Sequence, residues 1–388
     1  MQSVLSADPL HRRDALSDAM GDFIVAQATG SHVDTMVLEC LEQLEATAPR
    51  ATLGLIYLSN DLIDQFDGAL ATLRRAFPRV NWVGATVDTV MAECNEYRNQ
   101  GALAIMLGEV AVDQFRILAG GRRSLSGRLA SLYSWRQRNG ISGALVHGDA
   151  GNPAVTELID ELSLYVGDVP LAGGLMGRSR PGLQVAVSVV SGGMSGILFG
   201  RDVDVFSGYS LGCSPLGRPH AITRMAGGHI FELDGRPALD VLFEESGELL
   251  SRDLQRLTSF IIPAFAGERG DAHYAPAEFL AIDRLKRSFS VDERIALSGD
   301  MRFYRRDGDA AWRHFDDLLT QAVERTRGRR ICAGVFVGGS VTNSSAGTEL
   351  ASIRAALGHF PLIGYRADSD VFNGRRYSHS SVLTLLVN

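Results

Sequence analysis

The side chains best suited to binding chemistry in this sequence are single histidines and scattered arginines. The nine histidines stand alone, without His-x-x-x-His or His-Glu-x-x-His spacing, so no zinc site is predicted. Several arginines follow two glycine-containing runs and suit carboxylate recognition, although a role in solubility is the simpler alternative. These arginines are Arg178, Arg180, Arg366, Arg375 and Arg376.

Catalytic patterns are weak. The sequence contains no P-loop, no Gly-x-Ser-x-Gly elbow and no dinucleotide-binding glycine motif after a strand. Ser340 follows a predicted strand, and Asp368 and Asp370 flank Ser369, so a hydrolase or transferase would need a base such as His379 nearby. A glycine turn and a solvated loop explain the same residues, and we therefore predict no catalytic residue and no enzyme.

Three stretches share one order of residue types. An apolar run meets glycine, a polar loop follows, and two β-rich runs come after it, starting at residues 82, 170 and 361. We predict that the glycine-containing runs line a ligand pocket, together with charged residues in the loops that follow. The predicted ligand-binding residues are Gly173, Gly174, Arg178, Gly364, Tyr365, Arg366 and Asp368.

Hydrophobic periodicity predicts the elements around these runs. Continuous apolar strands begin near residues 54, 143 and 332, and amphipathic helices flank them. The pattern predicts an α/β fold of two related halves, with mixed sheets covered by helices and built from repeated strand-helix-strand-strand units. A diverged fourth unit is a further hypothesis for residues 205–305.

Bulk properties indicate a globular protein. The chain has 388 residues, 45% of them hydrophobic and 21% charged. Its net charge of −7 argues against a nucleic-acid-binding surface. Four scattered cysteines fit a reducing compartment, and no signal peptide or membrane-length apolar run is present, so a cytoplasmic location is predicted.

The central block resembles the FIST sensory domain family. The resemblance lies in the run at residues 170–174, in Gly208-x-x-x-Gly212-x-x-Pro215-x-Gly217, and in Glu232-Leu233-Asp234-Gly235. It implies a FIST N-terminal domain at 22–205 and a FIST C-terminal domain at 206–388. Residues 1–21, rich in Ser, Asp and Arg and without strong periodicity, are predicted to form an N-terminal arm. The sequence departs from the family pattern after Gly84 and Gly364, which implies a changed ligand.

The resemblance also implies a function. FIST proteins are taken to be sensors of small ligands, and one branch binds haem and senses nitric oxide together with a histidine kinase or a cyclic-di-GMP enzyme. A non-covalent haem needs one axial ligand, which a lone histidine can supply. The candidate haem ligands are His147, His379, His220 and His229.

Three interpretations therefore stay open at this point. The first is a haem-based nitric-oxide sensor acting on a separate signalling protein. The second is a FIST sensor of another small ligand, such as an amino acid. The third is the hydrolase or transferase that would use Ser340, Asp368 and His379. The sequence leaves the oligomeric state open.

Overall fold

The computed structural model describes residues 19–44, 50–177, 182–266, 274–291, 299–339, 347–378 and 380–388. The chain divides into two compact units. The first comprises Met1–Tyr209, Asp317–Gly374 and Ser381–Asn388, and the second comprises Ser210–Asp316 and Arg375–Ser380. The predicted FIST N- and C-terminal boundaries remain a prediction, because compact units and family domains are different divisions of a chain.

The first repeat of the first unit places a buried central strand between two helices. Every residue of that strand, Leu53–Ser59, is buried, as its continuous apolar sequence predicts. A 3₁₀ turn at Asn60–Gln65 precedes the second helix. The elements are β1 (Met20–Thr29), α1 (Val33–Leu44), β2 (Leu53–Ser59), α2 (Phe66–Ala76), β3 (Asn81–Val87), β4 (Thr89–Ala92), β5 (Asn95–Arg98) and β6 (Ala102–Val110).

The second repeat has the same order of elements, with its first helix divided in two. The elements are β7 (Phe115–Gly121), α3 (Ser126–Ser131), α4 (Tyr133–Asn139), β8 (Gly143–Asp149), α5 (Val155–Val166), β9 (Leu171–Met176), β10 (Leu183–Ala186), β11 (Ser188–Ser191) and β12 (Met194–Phe199).

The remaining elements form the second unit and the third repeat. After β13 (Asp204–Leu211) come β14 (Cys213–Ala226), β15 (His229–Leu233), β16 (Arg236–Pro237), α6 (Ala238–Ser246), α7 (Glu248–Ser251), α8 (Leu254–Phe260), β17 (Ile261–Ala266), β18 (Tyr274–Pro276), β19 (Ala281–Asp283), β20 (Ser288–Ser290) and β21 (Asp300–Arg306). The third repeat contains α9 (Gly308–Thr326), β22 (Ile331–Gly339), α10 (Gly347–Leu357), β23 (Leu362–Ala367), β24 (Ser369–Phe372), β25 (Arg375–Tyr377) and β26 (Ser380–Val387).

Each repeat of the first unit forms the middle of one mixed sheet. The central strand pairs in parallel with the strand after the next helix, and antiparallel with the last strand of the repeat. The sheet orders are β1-β6-β2-β3-β10-β11, then β7-β12-β8-β9-β24, and β13-β26-β22-β23-β4-β5. The next strand of each repeat, β4, β10 or β24, joins the sheet of another repeat.

The inner faces of the three sheets share one apolar core, which includes Leu55, Leu145 and Val335 from the three central strands. On the outer face of the first sheet, α1 and α2 cover a second apolar cluster. The helices α3, α4 and α5 cover the outer face of the second sheet. The central strands are therefore buried on both faces, which explains their continuous apolar sequence.

The glycine in each predicted run lies on the strand parallel to the central strand, at a position where a β-carbon would collide with the central strand's backbone. A β-carbon added at Gly84, Gly173 or Gly364 would lie 1.8, 2.0 or 1.9 Å from a carbonyl oxygen of the neighbouring strand. Those carbonyls belong to Ile56, Val146 and Phe336, the register partners of the three glycines. These glycines therefore permit the close approach of two backbones.

The second unit is an antiparallel sheet with its own core. The sheet order is β18-β17-β21-β14-β15-β20-β19, and β16 pairs with β15. Its apolar cluster includes Leu242, Phe265 and Phe303. All strand pairs recorded within this unit are antiparallel. The described part of the segment at 205–305 therefore does not contain the parallel strand pair that the three repeats share.

The predicted α/β class, with mixed sheets covered by helices, is confirmed. The repeats were predicted to lie in two related halves, whereas the central strand and its parallel partner from all three repeats lie in the first unit. Periodicity locates strands and helices but does not give strand direction, which explains the difference. In the part of the chain that the structure describes, no helix is long and apolar enough to span a bilayer.

Replacing Gly173 with alanine should destabilise the first unit by about 2 kcal/mol or more, because the methyl group would overlap the Val146 carbonyl oxygen. Gly68 lies in α2, and no atom lies within 4 Å of the position that a methyl group would take there. Gly68→Ala should therefore be neutral or stabilise by about 0.5–1 kcal/mol. Urea unfolding of both variants measures the difference, and equal midpoints would show that the close approach is not needed.

Candidate functional site

A surface cleft of about 770 Å³ lies at the carboxyl end of β8. Open α/β sheets bind ligands at this end of their strands, and the volume is within the usual range for small-molecule sites. Its walls come from the loop after β8, the start of α5 and the turns that follow β7 and β11. The lining residues are Arg122, Arg123, Asp149, Gly151, Asn152, Pro153, Ala154, Glu157 and Gly192.

The side chain of Asn152 ties the walls of this cleft together. Its amide nitrogen donates to the carbonyl oxygens of Arg122 (2.8 Å) and Gly192 (3.0 Å). Its amide oxygen accepts a hydrogen bond of 2.9 Å from the backbone N–H of Ala154, just before α5. One side chain thus fixes three separate segments of the second repeat around the cleft.

Charges of both signs line the cleft. Arg122 and Arg123 are exposed, and neither forms an ion pair with another residue that the structure describes. The guanidinium of Arg122 lies against the turn at Gly192, where a β-carbon would be 2.8 Å from one of its nitrogens. The Asp149 carboxylate accepts from the Gly151 N–H at 2.8 Å, and Glu157 lies in the first turn of α5. The cleft can therefore hold both an anionic and a cationic group.

A buried polar cluster occupies the shared core of the first unit. Tyr57 on β2, His147 on β8 and Tyr365 on β23 are all 0% exposed. The Tyr57 hydroxyl lies 2.9 Å from Nε2 of His147. The Tyr365 ring centroid lies 4.7 Å from that of Tyr57 and 5.8 Å from that of His147. Each of the three repeats thus contributes one ring to this cluster.

Burial controls ionisation in the cluster. It lowers the pKa of His147 to about 3, so the imidazole is neutral at neutral pH. Burial also raises the pKa of Tyr57. It raises the pKa of Tyr365 well above its usual value, with added repulsion from Tyr57 and Asp370. The three rings are therefore uncharged hydrogen-bonding groups in the apolar core.

Gly174 provides the space for Tyr365. A β-carbon at Gly174 would lie 2.9 Å from the Tyr365 ring and 2.8 Å from side chains of Val337 and Ala367. Gly174 is also the register partner of His147 on one side and of Asp370 on the other. A larger residue here would displace the tyrosine, so this glycine is required for packing within the cluster.

Arg366 belongs to a buried ion-pair network. Its guanidinium lies 3.1 Å from a Glu96 carboxylate oxygen and 2.6 Å from one of Glu349. Burial disfavours its charge, but the carboxylates of Glu349 and Glu96 raise its pKa overall. Arg98 pairs with Glu96, and Arg354 pairs with Glu93. The network attaches the β4-β5 hairpin of the first repeat to the third repeat.

The structure places the predicted ligand residues in different roles. Gly173 and Gly364 are strand contacts, and Gly174 and Tyr365 belong to the core. Arg366 is paired with two carboxylates. Asp368 is half-buried, and its N–H donates to the Leu175 carbonyl. The predicted residues Arg178, Ser340 and His379 lie outside the described residues.

Three of the four candidate haem ligands lie in the described residues, and each already has a hydrogen-bond partner. His147 is fully buried and bonded to Tyr57. In the second unit, Nδ1 of His220 lies 2.8 Å from Asp234 and its Nε2 lies 3.2 Å from Glu245. His229 lies 2.7 Å from the Ser288 hydroxyl, and its ring stacks on Phe231 at 4.6 Å. Across the described ranges, no group of three or more His, Cys, Asp or Glu side chains could hold a metal ion.

Several residues of the cleft and the core were missed by the sequence analysis. Arg122 and Arg123 are adjacent arginines, and both line the cleft. Tyr57 lies in a continuous apolar strand and carries no separate signal. The loop Gly148-Asp149-Ala150-Gly151-Asn152-Pro153 was recognisable as a turn before a helix. An asparagine in such a loop is the signal that could have identified Asn152 as the residue that connects the cleft walls.

Stability should depend on pH through His147. Its pKa is lowered from 6.5 to about 3 on folding, so the unfolded chain binds the proton more tightly and stability falls as pH drops below 6.5. Between pH 7 and pH 5 this group should account for a loss of about 2 kcal/mol. Urea unfolding at both pH values measures the loss. The His147→Gln variant should lack this share, and an equal loss in both proteins would contradict the prediction.

Comparison with known proteins agrees with the resemblance in the sequence. The family model of the FIST N domain matches residues 52–236. The chain is 26% identical over 355 residues to an uncharacterised protein of Mycobacterium tuberculosis, covering 85% of this chain and 88% of the relative. It is 29% identical over 218 residues to an uncharacterised protein of Mycobacterium bovis, covering 49% of this chain and 56% of the relative. Residues 52–236 of this chain are thus similar to the FIST N domain.

Proposed function

We propose that this protein is a sensor that binds a small polar molecule with a carboxylate group in the cleft at the end of β8. The similarity of residues 52–236 to the FIST N domain supports a small-ligand sensor in general terms. The observation that carries the proposal is the pair Arg122 and Arg123, two exposed guanidinium groups on one cleft that form no ion pair with another described residue. Guanidinium groups bind carboxylates with two parallel hydrogen bonds.

The opposite wall favours a ligand that also carries a positive charge. Asp149 brings a carboxylate to the same cleft, and a ligand ammonium could pair with it. The start of α5 adds a partial positive charge near the arginines. An amino acid has both charges on a small frame and matches this arrangement.

The position of the cleft suggests how binding reaches the rest of the first unit. Gly192 follows β11, and the hairpin β10-β11 pairs with β3 in the sheet of the first repeat. A ligand that contacts the turn at Gly192 therefore contacts a segment that joins two repeats. Binding would favour one arrangement of this hairpin, and such a population shift is the general basis of signalling by a sensor.

The resemblance to FIST proteins supports a signalling partner. A histidine kinase or a cyclic-di-GMP enzyme that acts as a separate chain is our proposal for this partner. Co-purification of such an enzyme with the tagged protein from its own cells, strengthened or weakened by added ligand, would test it.

The alternative function is that of a hydrolase or transferase that would use Ser340, Asp368 and His379. A lack of turnover with ester and amide substrates would count against this alternative.

Replacing both Arg122 and Arg123 with alanine should weaken amino-acid binding by at least about 100-fold, since each charged hydrogen bond contributes roughly 1.5–3 kcal/mol and the double variant loses at least one from each arginine. Isothermal titration calorimetry with a panel of amino acids measures the affinity. Arg79 is exposed and lies outside the cleft lining, so Arg79→Ala is the matched control and should bind normally. Binding that is unchanged in the double variant, or that is absent for every amino acid in the wild type, would refute the proposed ligand class.

The haem-based nitric-oxide sensor is the competing proposal. Three of its candidate ligands, His147, His220 and His229, already have hydrogen-bond partners, and the fourth, His379, lies outside the described residues. We expect purified protein mixed with haemin to show no Soret band beyond that of free haemin, and no shift with nitric oxide. An absorbance spectrum measures this. A stable Soret band that His379→Ala removes would instead establish the haem sensor.

A further inference from the structure

The polar cluster in the core contains two atoms whose hydrogen-bonding capacity is not used. Within the described ranges, Nδ1 of His147 has no hydrogen-bond partner, and the Tyr365 hydroxyl, which lies near the backbone N–H of Gly174, has no acceptor for its hydrogen. Both side chains are fully buried. A buried polar atom without a partner costs roughly 1–3 kcal/mol. In folded proteins, such atoms are commonly satisfied by an internal water or a bound molecule.

The hydrogen bond between Tyr57 and His147 determines what these two atoms require. If Nε2 donated to Tyr57, the Tyr57 hydroxyl hydrogen would need another acceptor. If the Tyr57 hydroxyl donates to Nε2 over the 2.9 Å observed, its hydrogen is satisfied and the ring proton lies on Nδ1. The second arrangement leaves fewer unmet groups. Nδ1–H and the Tyr365 O–H are then two donors that both need an acceptor.

Two donors could hold an anion or a neutral oxygen atom. Asp370 decides between them, because this carboxylate is fully buried and close enough to disfavour negative charge on Tyr365. It would repel an anion in the same core with little screening. A neutral oxygen-containing molecule meets both donors without adding charge.

We propose that the core of the first unit binds one small neutral molecule whose oxygen accepts hydrogen bonds from Nδ1 of His147 and from the Tyr365 hydroxyl. Water is the smallest member of this class, and small alcohols and carbonyl compounds share its chemistry. The site is separate from the surface cleft and does not depend on the ligand proposed there. Because rings from three repeats surround it, the bound molecule stabilises the contact among them.

The Tyr365→Phe variant tests the site through the direction of the stability change. If a molecule bridges the two donors, removing the hydroxyl deletes one of its hydrogen bonds, and the urea midpoint should fall. If the hydroxyl has no partner, removing it should leave the midpoint unchanged or raise it. Tyr57→Phe is the control, because it breaks a hydrogen bond seen in the structure and should lower the midpoint in either case.

A crystal structure of the wild-type protein provides the second measurement. We expect electron density for an oxygen atom within hydrogen-bonding distance of both Nδ1 of His147 and the Tyr365 hydroxyl. Native mass spectrometry then separates the sources: an excess mass identifies an organic molecule, and no excess mass identifies water. An empty site in a well-ordered crystal, or a Tyr365→Phe midpoint at or above that of the wild type, would overturn the proposal.

Discussion

Each of the three sheets in the first unit is built mainly from one repeat and also contains a strand that belongs to another repeat. The strand β10 of the second repeat pairs with β3 of the first, β24 of the third with β9 of the second, and β4 of the first with β23 of the third. Backbone hydrogen bonds therefore connect the repeats in a closed ring. Packing of apolar faces could hold separate domains together loosely, whereas strand pairing fixes their register. The positions of the side chains in the shared core therefore depend on the strands that each repeat contributes to the sheet of another.

Equivalent positions in the ring carry different side chains. At the same level of the three sheets lie the pairs Tyr57 and Ala85, His147 and Gly174, and Val337 and Tyr365. The backbone arrangement is the same in the three repeats, and each has a glycine where the two parallel strands leave no room for a β-carbon. The residues that follow these glycines, and their partners on the central strands, differ among the repeats. They form one polar cluster in an apolar core. A repeated scaffold can thus support a single, non-repeated site.

The fold was more predictable from the sequence than the site. The buried strands and the three glycine crossings carry strong local signals, since a continuous apolar strand and a glycine beside it do not depend on distant residues. Arg366 shows the limit. It follows a glycine and resembles a ligand-binding arginine, but its carboxylate partners, Glu96 and Glu349, come from the first repeat and from α10. Sequence spacing cannot reveal such a pair. Arg122 and Arg123 were overlooked because the cleft that they line is formed by segments that are distant in sequence.

The closed ring also affects how the chain can fold during synthesis. The strand β4 is made early, yet its partner β23 lies about 270 residues later, as the pairing of Ala92 with Ile363 shows. The first repeat can complete its own sheet once β10 has been made, but its β4-β5 hairpin has no strand to join until the last repeat leaves the ribosome. Contacts so distant in sequence slow folding. The nascent protein would therefore expose an unpaired strand edge for most of its synthesis, a state in which chaperone binding would protect it from aggregation.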